Sequence, residues 1–258
     1  MTNGRPAALE CSGLHKSFGA LSAVHDISFS VADGEILGVV GPNGAGKTTL
    51  FNLISGHLRC DRGSIRLGSV DVTGMPAQRR FRQGLARTFQ VPEAFSSQTV
   101  FDNALAGAVF GSKAARLPLS FSRTARTTAE EALAAVGLAD RRFQRASTLS
   151  PFDKKRLMIA SAIAGQPAIL LLDEPFGGLG EDEIDVTEEI VRNLNRRGMT
   201  IVIVEHVLRA LFKLARHVFV MQHGDRIFEG SPEEFMKDET VISSYLGKSQ
   251  SGRGQAPS

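Results

Sequence analysis

The stretch Gly41-Pro42-Asn43-Gly44-Ala45-Gly46-Lys47-Thr48-Thr49 carries phosphate-binding residue types at the spacing G-x-x-x-x-G-K-[ST]. Glycines at 41, 44 and 46 let the backbone turn sharply and bring its N–H groups up to phosphate oxygens. Lys47 is expected to reach the β- and γ-phosphates, and the Thr48 hydroxyl to hold Mg²⁺. Two further places carry chemistry. The apolar run 168–172 ends on Asp173-Glu174, and the apolar run 200–204 ends on Glu205-His206. Asp173 suits a metal, directly or through water. Glu174, one residue on, can aim a water at the γ-phosphorus as general base. His206 can hydrogen-bond the γ-phosphate. Singly, a carboxylate at a strand end is often a cap and a lone histidine is often structural. Beside a phosphate loop they make one site.

The elements around these residues put them together. Ile36-Leu37-Gly38-Val39-Val40 reads as a buried strand and Leu50-Phe51-Asn52-Leu53-Ile54 as an amphipathic helix, so the loop joins a strand to a helix. That helix points its N-terminus, with unpaired N–H groups and partial positive charge, at the same anion. In an open parallel α/β sheet active groups gather at the carboxyl ends of the strands, where residues 41, 173 and 205 all fall.

Elsewhere, 9–14 and 27–31 read as strands, 64–67 and 70–72 as a hairpin, 76–82 as a helix, and 86–90 as a short strand ending on Gln90. From 91 to 165 strands vanish and helical periodicity takes over, with helices at 99–109, 128–136 and 151–164 and a Ser/Arg-rich loop at 111–127. Helices follow at 181–196 and 207–215, then a hairpin at 218–229 and short helices at 232–236 and 240–246. Residues 8–90 and 166–247 are therefore expected to form an α/β core lobe and 91–165 an inserted all-helical lobe, with flexible ends at 1–7 and 248–258.

Composition sets the bounds. The chain has 258 residues, is 42% hydrophobic and carries a net charge of +3, enough for a sizeable core with a mild excess of base. Basic clusters at Arg79-Arg80-Phe81-Arg82, Arg141-Arg142 and Lys154-Lys155-Arg156 read as solvated helix faces. No aromatic side chains interleave them as stacking platforms, so no nucleic-acid partner is expected. The two cysteines, Cys11 and Cys60, lack metal-type spacing and point to a reducing compartment. The polar start, Met1 to Pro6, has no apolar core of a signal peptide, and no run is long enough to span a bilayer.

In their order along the chain, the loop at 41–49, Gln90, Leu149-Ser150 before a helix, Leu170-Leu171-Leu172-Asp173-Glu174-Pro175 and His206 resemble the ATP-binding subunit of an ATP-binding-cassette (ABC) transporter over nearly the whole length. Ala86-Arg87-Thr88-Phe89-Gln90, Val204-Glu205-His206 and Ser244-Tyr245-Leu246-Gly247 resemble more closely the ATPases of branched-chain amino-acid importers. Cassettes serving urea or short amides would look alike. The resemblance implies an α/β fold: a P-loop NTPase core with an N-terminal antiparallel β subdomain and an inserted all-helical lobe. It implies ATP and Mg²⁺ as cofactors, with Phe18 stacking on adenine, residues 41–49 holding the phosphates, Ser150 contacting a nucleotide, and Thr48, Gln90 and Asp173 serving the metal. It implies integral-membrane permease subunits docked on the helical lobe, a second cassette subunit, an indirect link to a solute-binding protein, and a place on the cytoplasmic face of the inner membrane.

The sequence departs from the family at three points. Leu149-Ser150-Pro151-Phe152-Asp153 stands where the family has Leu-Ser-Gly-Gly-Gln. Gly177-Gly178-Leu179-Gly180 ends in glycine rather than Asp or Asn, and Val207 rather than Asp follows the histidine. Asp153 is expected to complete a capping box with Ser150 and to bring a negative charge close to a nucleotide bound across a dimer. That predicts a heterodimer with one slow site. Two other readings stay open: a regulatory nucleotide binder with little turnover, and a soluble ABC ATPase without a transport role.

Overall fold

The computed structural model describes residues 6–91, 94–111, 122–238 and 241. Six strands make a sheet in the order β10-β9-β3-β8-β7-β6, where β3 is Ile36–Val40, β6 Leu85–Arg87, β7 Ile169–Asp173, β8 Thr200–Val204, β9 His217–Gln222 and β10 Asp225–Gly230. All pairings are parallel except that of β9 with β10. Every residue of β3, β7 and β8 is buried, as expected of parallel strands covered on both faces. A second, antiparallel sheet runs β2-β1-β4-β5, with β1 at Ala7–Phe18, β2 at Leu21–Ala32, β4 at Arg62–Leu67 and β5 at Val70–Asp71.

Period-2 alternation along the central strands divides the core in two. Leu37, Val39, Leu171, Val202 and Val204 face the antiparallel sheet and helix α1 (Lys47–Ser55), packing with Leu9, Ile27, Leu50 and Phe51. Ile36, Val40, Leu170, Leu172, Ile201 and Ile203 face the other way, towards α3 (Val100–Gly111), α4 (Arg123–Ala135), α5 (Pro151–Ala164), α6 (Glu181–Arg196) and α7 (Leu208–Leu214). Helices α3 and α5 cross closely at Gly107, where a Cβ would lie 1.9 Å from the Ser161 carbonyl. The α/β architecture read from the sequence, with its antiparallel subdomain and its helices between β6 and β7, is the one observed.

Several boundaries differ for physical reasons. Strand β1 runs to Phe18 rather than ending at 14, because its pairing with β2 continues through bulges where one face is wet and apolar alternation is lost. Helix α4 starts at Arg123 and not 128. Ser122 caps it by accepting from the Ala125 N–H, and Ala125 is the one apolar residue of an otherwise exposed first turn, too little for periodicity to detect. Strand β6 stops at Arg87, short of Gln90. After Thr88 pairs with the Leu171 carbonyl, side chains take over, and the Phe89 N–H donates to Met158 Sδ. The tail from 248, Ser244 to Gly247 and most of the leader and of the 111–127 loop lie outside the described residues, as does most of the 240–246 helix.

The basic clusters are not solvated faces throughout. Arg80, on α2 (Ala77–Arg82), is 1% exposed. It donates to the carbonyls of Leu53, Ile54, Met75 and Thr73. Two of those carbonyls end α1, where a cation is favoured by the helix dipole.

Candidate functional site

Helix α1 begins without any of the usual help. Its N-cap is Gly46, no side chain caps it, and its first turn holds no acid. Its leading N–H groups therefore remain available to an outside anion. Gly46 has φ 100°, and a Cβ there would lie 2.1 Å from the Ala23 carbonyl of β2, so both backbone sign and space require glycine. Lys47 curls back over this loop, its Nζ donating to the carbonyls of Gly41 at 2.7 Å and Pro42 at 2.9 Å. Burial pushes its ammonium below the usual lysine range, against the pull of Glu174 and Asp173. Thr48 is exposed beside it, Asn43 and Gly44 are exposed, Ala45 is buried and Thr49 is half-buried.

The carboxyl ends of β7 and β8 face this loop from the sheet. Glu174 has φ 49°, a left-handed conformation rare in a non-glycine residue and one that re-aims the side chain. Its carboxylate is gripped from both sides. Gln90 Nε2 donates to Oε2 at 2.6 Å, and His206 Nε2 shares a hydrogen with Oε1 at 2.9 Å. So Gln90, Glu174 and His206 meet at one point, although 84 and 32 residues of chain separate the two pairs.

Asp173 has a partner that the sequence reading did not foresee. Its Oδ2 takes a 2.8 Å hydrogen bond from Arg87 Nη2, with both side chains almost fully buried. Arg87 also donates to Asn52 Oδ1 and Ser55 Oγ of α1 and stacks on Phe51 and Phe89. Among the described residues its Nε is a buried polar atom with no hydrogen-bond partner. No cluster of three His, Cys, Asp or Glu side chains there could hold a metal alone. The oxygen donors at hand are the Thr48 hydroxyl, the Asp173 carboxylate and the Gln90 amide oxygen. Such a sparse set of hard donors fits Mg²⁺, which usually arrives with phosphate oxygens and keeps several waters.

Phe18 ends β1 with its ring 48% exposed. The strand end is pinned by Asp61, which accepts from Lys16 Nζ at 2.7 Å and the Ser17 N–H at 2.8 Å. Lys16 Nζ lies 5.6 Å from the centre of the Phe18 ring, and Ala23 of the same hairpin lies against Gly46 of the phosphate loop.

Ser150 caps α5 by accepting from the Asp153 N–H. The rest of the expected capping box does not form. The Asp153 side chain is 5% exposed, turned inward and held by both Arg141 and Arg156. Phe152 lies under the Arg156 guanidinium. The charge predicted to face a nucleotide is thus neutralised within its own helical layer. Two more residues escaped the sequence reading. Lys155 Nζ donates to the carbonyls of Glu174, Pro175 and Gly177. Glu205, 1% exposed, accepts from the N–H groups of Phe176, His206 and Val207. Glu205 stood next to a noted histidine and Lys155 inside a noted basic run, but spacing says nothing of either partner set.

Known proteins resemble this chain in sequence and in fold. The family model described as ABC transporter matches residues 24–177. The high-affinity branched-chain amino acid transport ATP-binding protein LivG of Salmonella typhimurium is 34% identical over 93% of this chain and 98% of its own. The lipopolysaccharide export system ATP-binding protein LptB of Acidithiobacillus ferridurans is 35% identical over 93% of this chain and 96% of its own. A solved ATP-binding cassette of an ABC transporter in its ADP conformation superposes with a TM-score of 0.84 at 28% identity, covering 94% of this chain and 99% of that one.

Proposed function

The chain belongs to the ATP-binding subunits of ABC transporters, and from that premise we propose that it powers an importer of branched-chain or other amino acids. It is an ATPase. The observation that carries the chemistry is the double grip of Gln90 and His206 on Glu174, opposite an uncapped helix that begins with Lys47.

On this reading Lys47 exchanges its two loop carbonyls for β- and γ-phosphate oxygens, and the unpaired N–H groups of the loop and of the start of α1 close around the phosphates. Thr48, Asp173 and Gln90 would hold Mg²⁺, which would supply charge neutralisation for the phosphates. Glu174 takes the proton of the attacking water. His206 keeps Glu174 oriented and hydrogen-bonds the γ-phosphate. Ser150 contacts the nucleotide of a second cassette.

Phe18 stacks on adenine. Phe18→Ala is expected to weaken ATP binding by about 1–3 kcal/mol, the range for aromatic–base stacking, and to leave inorganic triphosphate binding unchanged. Calorimetric titration with both ligands checks this, and equal loss for both removes Phe18 from the base site.

A groove of about 420 Å³ opens between α2, α3 and α5, lined by Phe81, Phe89, Phe95, Phe110 and Met158. Phe95 and Phe110 are largely exposed. Among the described residues no helix is long and apolar enough to cross a membrane. The groove suits a short helix of an integral-membrane permease, which would place the chain on the cytoplasmic face of the inner membrane with a solute-binding protein acting through that permease. The division into a core lobe and a helical lobe 91–165 follows the same proposal.

The transported solute is tested by deleting the gene and measuring uptake of labelled leucine, urea and acetamide. Loss of leucine uptake alone is the expected result; loss of urea or acetamide uptake instead overturns the amino-acid reading. The similarity to LptB favours a second reading, a subunit of a lipid exporter. It predicts that uptake of all three solutes survives deletion while an envelope lipid fails to reach the cell surface.

A further inference from the structure

The turn 174–177 leaves β7 and carries Glu174 on its first residue. Both of its hydrogen-bonding edges are taken by charged side chains from outside it. On one edge, Lys155 Nζ donates to the carbonyl oxygens of Glu174 at 3.1 Å, Pro175 at 3.4 Å and Gly177 at 2.6 Å. An ammonium has three N–H donors, and here all three are spent on backbone. On the other edge, Glu205 Oε1 accepts from the Phe176 N–H at 2.6 Å. Its Oε2 accepts from the N–H groups of His206 at 2.7 Å and Val207 at 3.0 Å.

The two charges come from different layers. Glu205 follows β8 and belongs to the same sheet as the turn. Lys155 sits in the second turn of α5, whose start is fixed by the Ser150 cap and by Asp153 between Arg141 and Arg156. Lys155 is therefore a direct covalent-and-hydrogen-bonded link from that helical layer to the residue carrying the carboxylate. Burial lowers its pKa, against the opposing pull of Glu205 and Glu174. The turn needs an external hold: Glu174 is in the left-handed region at φ 49°, a conformation disfavoured in a residue with a Cβ.

We propose that Lys155 is a positioning residue for hydrolysis: through its three carbonyl contacts, α5 sets where the turn 174–177 holds the Glu174 carboxylate. The proposal rests on the reading of Glu174 as the base. A rigid-body shift of α5 relative to the sheet would then reach Glu174 without passing through the nucleotide.

The test uses the full-length chain with Lys155→Met, which keeps the stem and loses the donors, and Lys155→Arg, which keeps charge and donors. Lys155→Met is expected to lower kcat by about tenfold to a hundredfold, the scale of an ångström-level misplacement, with the KM and Kd for ATP unchanged. Lys155→Arg is expected to regain most of the loss. Hydrogen–deuterium exchange should quicken in the peptide spanning 174–179 and stay unchanged along α5. Unchanged kcat in Lys155→Met, a parallel loss of ATP affinity, or equal quickening throughout α5 overturns the proposal. Glu174→Gln measured alongside separates the two levels. If that variant turns over normally, the base assignment fails, and exchange at 174–179 still decides whether Lys155 holds the turn.

Discussion

Glu174→Gln is expected to bind ATP as tightly as the unmodified chain and to hydrolyse it about 10²–10⁴-fold more slowly, the range for removing a positioned general base. The geometry explains why binding should survive. The hydrogen bonds of the Glu174 carboxylate go to Gln90 and His206, which lie outside the phosphate loop. A glutamine fills the same volume, and the Gln90 amide can rotate to offer oxygen instead of nitrogen, so the shape of the site is kept. What disappears is a carboxylate able to take the water's proton. Its neighbour Asp173 cannot substitute, because the Arg87 guanidinium holds its carboxylate at 2.8 Å in a nearly dry position. Phosphate release and ATP retention, measured on the chain with its membrane partners, check the expectation. Hydrolysis at the unmodified rate would remove Glu174 from the proton transfer.

Much of this site was legible because its parts are local. A strand, a glycine loop and a helix start occupy consecutive residues, so periodicity and spacing place 41–49. Asp173-Glu174 and Glu205-His206 each follow a short apolar run of buried-strand length, and strand ends of a parallel sheet converge. What stayed hidden depends on partners distant in sequence. Arg87 meets Asp173 across 86 residues, and Arg80 meets the end of α1 across 26 and 27. A run of arginines reads as solvated until the carbonyls that receive it are known. Glu205 looks like a strand-end acid, and only the loop geometry shows three N–H groups aimed at it. The boundary of α4 was hidden for the opposite reason: its first turn is local but carries a single apolar residue, Ala125, which cannot set a phase.

Asp153 is where sequence and structure predict opposite experiments. From the sequence, an acid in place of the family's glutamine stands near a polyanion after two lost glycines, so Pro151→Gly, Phe152→Gly and Asp153→Gln together should speed turnover. In the structure the carboxylate is buried and shared by Arg141 and Arg156. Arg156 also donates to the carbonyls of Val136 and Gly137, which tie it to the end of α4. A glutamine cannot neutralise the two guanidinia. Removing one partner of a buried pair costs about 3–5 kcal/mol. Arg141 is half exposed and can turn to water, which favours the low end, about 3 kcal/mol. For a chain of this size that corresponds to a melting temperature lower by about 6–12 °C. We therefore expect Asp153→Gln to melt earlier and to hydrolyse ATP no faster. Pro151 and Phe152 are different: Pro151 is exposed and lacks an N–H to offer a phosphate, and Phe152 covers Arg156. The proposed asymmetry of a heterodimer is thus tested with Pro151→Gly and Phe152→Gly together, leaving Asp153 in place. That pair is expected to raise turnover at the site this helix completes, with Asp153 still holding its two arginines. If Asp153→Gln instead melts unchanged and hydrolyses faster, the acid faces the nucleotide after all and the inward ion pairs do not hold the helix.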